Sequence, residues 1–408
     1  MKLLEVTTIP ETLEAFLLPF AGHFRERGWT IGAMARGVSL NAACRTAFDR
    51  LHDVDWSRNP LAPANLRAVR TVARVVDSEC YDLVHVHTPV AAFITRFALR
   101  HRPRHPVVVY TAHGFHFHAA GHPVANWVFR SLEQFAGPWT DELVVINRED
   151  QEAARRLGLV AAERVHYVPG VGVDVRALDP ADVGDGRVDA VRDELGVPPN
   201  APLFLMLAEF TPNKRHEDAV RAFAGLPAST RPAPHLALAG VGGTKRRIER
   251  LTHQLRVADR VHFLGFRRDT SVLVRAAVAV LLTSAREGLP RSVMESMALG
   301  TPVIATNVRG VRDLVGDGRG LLVSVGDVAA IRDALVFVVS HPERVQRMAA
   351  RARTHVASYD VRAVLEAYEE VFAASSARQS AVGVHEANEW PTATDGGPDR
   401  GICRSVAR

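Results

Sequence analysis

Lysine is nearly absent. Only Lys2, Lys214 and Lys245 occur in 408 residues, so 47 of the 50 basic residues are arginine. The formal net charge is +5, but the arginines are interleaved with 45 acidic residues. That pattern excludes the clustered basic block of a nucleic-acid binder, and no recognition-helix motif is present, so no nucleic-acid partner is expected. Cysteine is as scarce: Cys44, Cys80 and Cys403 form neither a CxxC pair nor a zinc spacing. A disulfide framework and a thiolate metal site are therefore excluded, and a reducing compartment is expected. No apolar run reaches the roughly 18 residues of a membrane-spanning helix. The opening Met1-Lys2-Leu3-Leu4-Glu5-Val6 reads as a short strand, not as a secretory signal, so a cytoplasmic protein is expected.

What is there is ordinary globular material, 47% hydrophobic and 23% charged, enough for two or three domains. Short apolar runs at 2–7, 30–35, 83–87, 107–112, 143–146 and 165–168 alternate with helical patterns at 66–80, 127–136 and 149–157. Before the first of these helical patterns, Thr8-Ile9-Pro10-Glu11 has capping-box spacing, and Leu13, Phe16, Leu17, Phe20 and Phe24 follow at helical intervals. A breaker-rich stretch over 169–200 reads as a linker. Alternation then restarts with strands at 203–208, 235–239, 261–264, 277–282 and 302–306, separated by helices at 215–226, 244–257 and 290–299. Strands alternating with helices mean βαβ units and parallel sheets. The expectation is α/β: two Rossmann-like doubly wound domains, 1–168 and 201–342, facing a central cleft. C-terminal helices follow over 343–373, and a disordered tail is expected over 374–408.

The most informative stretch is Ser284 to Gly300. An apolar strand ends in the turn Gly288-Leu289-Pro290, which opens a helix at Arg291-Ser292. Proline is tolerated there because first-turn amides lack intrahelical partners, and those amides with the positive helix end suit a diphosphate. Glu287 before the turn and Glu295 inside the helix can accept hydrogen bonds from vicinal hydroxyls. Their alternative is a loop acid and a solvated helix acid, against which the apolar Val293, Met294, Met297 and Ala298 speak. Lys214 follows the first strand of the second half, where a cation beside an anion site would neutralise a leaving diphosphate. A solvated loop lysine is the competing reading. Gly240-Val241-Gly242-Gly243-Thr244 is a glycine turn without dinucleotide or P-loop spacing, read as a tight turn before a phosphate signal.

Glu287 to Glu295, continued by Met297-Ala298-Leu299-Gly300, resembles the E-x7-E element of retaining GT-B glycosyltransferases of family 4. Thr111-Ala112-His113-Gly114-Phe115-His116-Phe117-His118 and the opening Val6-Thr7-Thr8-Ile9-Pro10 resemble bacterial capsule and exopolysaccharide enzymes of that family. The resemblance implies the GT-B fold, with the acceptor bound by the first domain and a nucleotide-sugar donor by the second. It implies that His113 reaches the donor sugar or the reacting centre, that Glu295 holds ribose hydroxyls and Glu287 sugar hydroxyls, and that the backbone around Phe266 and Arg267 borders the nucleobase. The catalytic set would be His113, Glu287 and Lys214. Donor binding would draw on Lys214, Phe266, Arg267, Glu287, Gly288, Leu289, Pro290, Arg291, Ser292 and Glu295. Glu209 stands where the family usually carries an arginine. His113, His116 and His118 form an imidazole cluster with no acid near in sequence, and His85 with His87 reads as structural or acceptor-side. No metal and no cofactor is expected. The implied acceptor is a glycan or a polyprenyl-diphosphate-linked glycan. A peripheral contact with the inner membrane face would then draw on Leu13, Phe16, Leu17 and Phe20 with Arg25 and Arg27, whose competing reading is a core-facing helix. A nucleotide-sugar 2-epimerase and a catalytically silent GT-B subunit are the alternatives.

Overall fold

A computed structural model describes residues 1–57, 59, 62–102, 105–118 and 121–388. The chain divides into two units: Met1–Val145, Gln151–Val168 and the chain from Leu365 form the first, and Ile146–Asp150 with Pro169–Val364 form the second. The first unit carries seven strands: β1 Lys2–Val6, β2 Thr30–Ala35, β3 Arg50–Asp53, β4 Leu83–Val86, β5 Val107–Ala112, β6 Glu142–Val145 and β7 Val165–Tyr167. The second carries six: β8 Leu203–Leu207, β9 His235–Ala239, β10 Val261–Gly265, β11 Ala279–Leu282, β12 Val303–Thr306 and β13 Leu321–Val323. All pairs are parallel.

The orders are β3-β2-β1-β4-β5-β6-β7 and β10-β9-β8-β11-β12-β13. In each unit the chain winds outward from its first strand, returns to that strand's other side, and winds outward again. The topological switch points therefore lie between β1 and β4 and between β8 and β11, where open α/β sheets leave a crevice at the strands' carboxyl ends. Helices cover both faces, so central strands such as Val107–Ala112 and His235–Ala239 are buried throughout.

Several elements depart from the sequence reading. Thr8 does not cap the first helix: Ile9 occupies the N-cap, and the Thr8 hydroxyl lies 2.7 Å from that of Thr88. The Leu13–Phe24 run is two helices, Pro10–Phe16 and Leu18–Glu26, split just before Pro19, which lacks an amide to continue the ladder. Leu13, Leu17 and Phe20 are buried, Arg25 pairs with Asp49, and Arg27 pairs with Glu369. This helix pair thus faces the core, where Tyr368 and Phe372 pack on Phe20 and Phe24, and the apolar-basic membrane surface read from it does not exist. β3 lacks an apolar run because Arg50, His52 and Asp53 make three of the four residues of this edge strand polar. Where a linker was expected, Asp185–Glu194 is a helix, and Val183, Val191 and Val197 join Leu203 and Leu205 in one core cluster. The last helix runs from Val361 to Asn388, beyond the residue where an irregular tail was expected to begin, and 389–408 lie outside the described residues.

The glycine turn after β9 is explained by packing. Gly240 has φ +151°, and a Cβ there would lie 2.0 Å from the Ala208 carbonyl oxygen; at Gly242, φ +145°, it would lie 2.5 Å from that of Phe210. The turn crosses the segment leaving β8 at a distance only glycine allows. Gly240→Ala is expected to cost at least ~2 kcal/mol through strain and clash. The check is faster hydrogen exchange of the β8 and β9 amides.

Candidate functional site

In the second unit, the segments leaving the neighbouring strands β8 and β11 are stapled together. The Ala285 amide donates to the Asn213 carbonyl (2.8 Å), and Asn213 Nδ2 donates to the Arg286 carbonyl (3.0 Å). The Thr283 hydroxyl reaches the carbonyls of Lys214 (2.9 Å) and Arg215 (3.1 Å). Held this way, Lys214 Nζ donates to Glu287 Oε1 at 2.6 Å. Two residues 73 positions apart, expected to serve one ligand, meet directly at the switch point. An ammonium has three protons, so Lys214 can keep this bond and still donate to an anion. Arg215 is not a second free cation: it sits in a left-handed conformation, φ +50°, and its guanidinium grips Asp218 at 2.5 and 3.1 Å. Glu209 is exposed.

The turn after Glu287 is fixed by a second close approach. Gly310 has φ +72°, and a Cβ there would lie 1.6 Å from the Gly288 carbonyl oxygen. Leu289 is half-buried and Pro290, extended at φ −76° and ψ 117°, caps the Arg291–Ala298 helix. The Val293 and Met294 amides turn back to the Pro290 carbonyl, at 3.2 and 3.3 Å. The Ser292 amide, one turn position earlier, finds no backbone acceptor among the described residues. Val293, Met294, Met297 and Ala298 are buried, as their apolar spacing predicts. Glu295 is partly covered; burial raises its carboxyl pKa, opposed by Arg291, whose Nε donates to Oε1 at 2.9 Å.

Phe266 is 70% exposed, an open ring on the surface. Arg267 is committed elsewhere, donating to Asp269 (2.8 and 2.7 Å) and to Glu194 (2.5 and 3.1 Å), so only its backbone remains for a ligand. A cavity of about 340 Å³, lined by Thr211–Pro212, Arg215–Asp218, Thr244, Arg247 and Ile248, includes neither Lys214 nor Glu287.

In the first unit the switch point holds a polar cluster. Glu5 on β1 stands opposite His85 on β4 in the strand register, and both are fully buried. Glu5 Oε2 accepts from His87 Nε2 at 2.8 Å, and His85 Nδ1 lies 3.2 Å from Oε1. His85 Nε2 lies 2.8 Å from the Thr111 hydroxyl, itself 3.0 Å from Tyr368 Oη. His87 Nδ1 lies 2.9 Å from His113 Nε2. The sequence spacing grouped His113 with His116 and His118; the fold instead sets His113 against His87, while the His116 ring packs on Phe129. Glu5, Thr111 and Tyr368 escaped the sequence reading, although an acid inside Leu3-Leu4-Glu5-Val6 was a signal: a carboxylate in a fully buried strand needs donors. Thr88, the next residue after His87, is held at φ +31°, a strained conformation for a non-glycine residue.

Burial alone would raise Glu5, but its contacts with His85 and His87 outweigh it and bring the carboxyl to about 2. Burial lowers His87 to about 4 and His113 to about 3, helped by neighbouring imidazoles. All three groups hold protons less readily when folded than at their ordinary values of 4.5 and 6.5. Between the two sets of values the unfolded chain binds more protons, so stability is complete above about pH 6.5 and is lost as pH falls through 4 to 2. Trp29, Trp56, Trp127 and Trp139 all lie in the first unit, and the second unit contains no tryptophan. The urea midpoint followed by tryptophan fluorescence is therefore expected to decline steadily on acidification below pH 6.5. A flat profile would contradict the buried cluster.

Residues 188–355 match the family Glycosyl transferases group 1, and residues 13–170 match the Glycosyl transferase 4-like domain. The putative glycosyltransferase EpsD of Bacillus subtilis (strain 168) is 31% identical over 376 residues, 91% of this chain and 96% of that protein. The UDP-Gal:alpha-D-GlcNAc-diphosphoundecaprenol alpha-1,3-galactosyltransferase of Escherichia coli is 26% identical over 69% of this chain and 72% of its own. Among solved structures, Anabaena Alr3699/HepE in complex with UDP and glucose aligns with a TM-score of 0.75 at 22% identity, covering 92% of this chain and 100% of that one. WaaG, a glycosyltransferase involved in lipopolysaccharide biosynthesis, aligns at 0.72 and 18% identity, covering 91% and 99%. Two parallel-sheet Rossmann-like units with these matches make the chain a GT-B-fold glycosyltransferase, joining a 4-like domain to a group 1 domain.

Proposed function

We propose that the protein transfers a sugar, with retained anomeric configuration, from a nucleotide-diphosphate sugar to a hydroxyl of a glycan or polyprenyl-diphosphate-linked glycan in cell-surface polysaccharide synthesis. The observation that carries this reading is the Lys214–Glu287 pair at the β8/β11 switch point, followed by the Gly288–Ser292 turn into a helix. A diphosphate leaving group needs cationic and amide donors where its charge develops, and Lys214 with the first-turn amides supplies both kinds. Glu287, tethered to Lys214, is suited to accept from donor-sugar hydroxyls, and Glu295, partly desolvated, from the ribose hydroxyls. The exposed Phe266 ring offers a face for the nucleobase. His113, neutral at pH 7, is suited to hydrogen-bond a sugar hydroxyl. No metal enters these roles. The name of the Escherichia coli relative supports the donor and acceptor classes, and the UDP and glucose held by Alr3699/HepE support the donor class.

Lys214→Ala and Glu295→Ala are each expected to lower transfer from a UDP-sugar by ~100-fold or more with the circular dichroism spectrum unchanged. Unchanged turnover in both would overturn the assignment. Donor consumed without an acceptor would identify a 2-epimerase instead, and proton NMR of the product's anomeric centre reads retention.

A lipid-linked acceptor requires the first unit to reach a bilayer surface. The helix Pro123–Ala136 supplies a face for it, with Val124, Trp127, Val128, Leu132 and Phe135 all exposed, Trp127 by 68%. These residues recur at three- and four-residue intervals along one helix side. An apolar aromatic face on a chain of net charge +5 fits an anionic lipid interface. The protein is expected to float with phosphatidylglycerol vesicles, and the double variant Trp127→Ser, Phe135→Ser to remain at the bottom of the gradient. Equal flotation of both proteins would sink this surface.

A further inference from the structure

The hydrogen bonds around Glu5 have a single consistent proton direction. A carboxylate offers only lone pairs, so each imidazole nitrogen beside Glu5 must bring a proton. His87 Nε2, 2.8 Å from Oε2, is therefore the protonated nitrogen, and in a neutral ring Nδ1 is then bare. His113 Nε2, 2.9 Å from that bare nitrogen, has to be the donor, which leaves His113 Nδ1 as a lone pair. No partner for His113 Nδ1 is found among the described residues. The other arm obeys the same rule. In a neutral His85 ring, Nδ1, 3.1 Å from Oε2, donates; Nε2 then accepts from Thr111, and Thr111 accepts from Tyr368. One buried carboxylate orders the protons of five further groups on β4, β5, the residues that follow them and the last helix.

We propose that Glu5 and His87 are positioning residues that lock His113 in its Nε2–H tautomer, so that it meets a sugar hydroxyl as a hydrogen-bond acceptor. The hydroxyl partner rests on the function proposed above; the relay rests on the first unit's geometry alone. Glu5 and His87 are fully buried, and both lie on the carboxyl-terminal side of the central strands, where His113 follows β5. His113 needs such a lock because a free neutral imidazole exchanges its proton between both nitrogens, and half-buried His113 has no other hydrogen-bond partner among the described residues.

A rival use of the same groups is an ion shared by Glu5, His85 and His87, whose candidate ligand atoms lie within 4.8 Å of one another. An ion on His87 Nε2 would move that ring's proton to Nδ1. His113 Nε2 would then accept, and its proton would sit on Nδ1. The two arrangements predict opposite tautomers at one residue, and hydrogen-bond separations of 2.8 and 3.1 Å between the Glu5 oxygen and the two rings already satisfy these groups without an ion.

Long-range proton–nitrogen spectra of the full chain labelled with 15N-histidine read this directly. The wild type is expected to show His113 in a single tautomer, with Nε2 protonated and Nδ1 bare. Glu5→Leu and His87→Leu should each collapse His113 to an averaged pair of nitrogen shifts. Tyr368→Phe, at the end of the other arm, should leave it unchanged. In turnover, whichever of Glu5→Leu and His87→Leu folds should lose at least ~10-fold in kcat with donor KM within ~3-fold. A His113 proton on Nδ1 in the wild type, or a stoichiometric metal in the purified protein by mass spectrometry, would overturn the relay. So would both variants retaining the single tautomer and wild-type kcat. The spectra need no substrate, so failure of the relay and failure of the proposed function are read separately.

Discussion

A parallel sheet that winds outward in both directions from its centre cannot cover the carboxyl ends of its two central strands. The connections leaving β1 and β4 run to opposite sides, as do those leaving β8 and β11, so a crevice opens between each pair. Both candidate sites of this protein occupy that gap. Glu5, His85 and His87 sit on β1 and at the end of β4, and Lys214 and Glu287 follow β8 and β11. The same topology, used twice, opens two polar sites at the centres of sheets whose strands are largely apolar.

The two sites solve the problem of buried charge differently. In the second unit the charges are opposite, paired at 2.6 Å and only partly covered, so water and an incoming anion can both reach the ammonium. In the first unit one carboxylate is fully buried between two imidazoles. Its contacts with His85 and His87 hold its carboxyl low against the cost of burial, while burial itself lowers the basicity of His87 and His113. A partly open ion pair suits a ligand that brings its own charge. A closed network suits the fixed presentation of one side chain at its edge.

Much of this was legible in the residues. The βαβ alternation, the near-complete burial of strands such as Val107–Ala112, and the Glu287–Glu295 helix with its apolar flanks follow from local patterns that burial on a parallel sheet imposes. Local patterns misled where a tertiary partner overrode them. Thr8 carries a capping-box spacing but bonds to Thr88, 80 positions away, whereas the Leu13–Phe20 stripe, better read as a core-facing helix than as a membrane surface, is indeed covered by the last helix. The Asp-Gly opening of Asp185–Glu194 disguised a core helix, because helix propensity is a weaker term than the burial of Val191.

The sequence by itself determined the fold class, the two runs of βα units, and the residue types available for diphosphate and hydroxyl recognition, because periodicity and turn chemistry are written within a few neighbouring positions. Which of those residues act together was decided only by the tertiary structure. Strand register, set by the winding of the whole chain, brought Glu5 beside His85 and Lys214 onto Glu287. It also drew His113 away from His116 and His118 and set it against His87, since hydrogen bonds join groups by distance in space and take no account of distance along the chain.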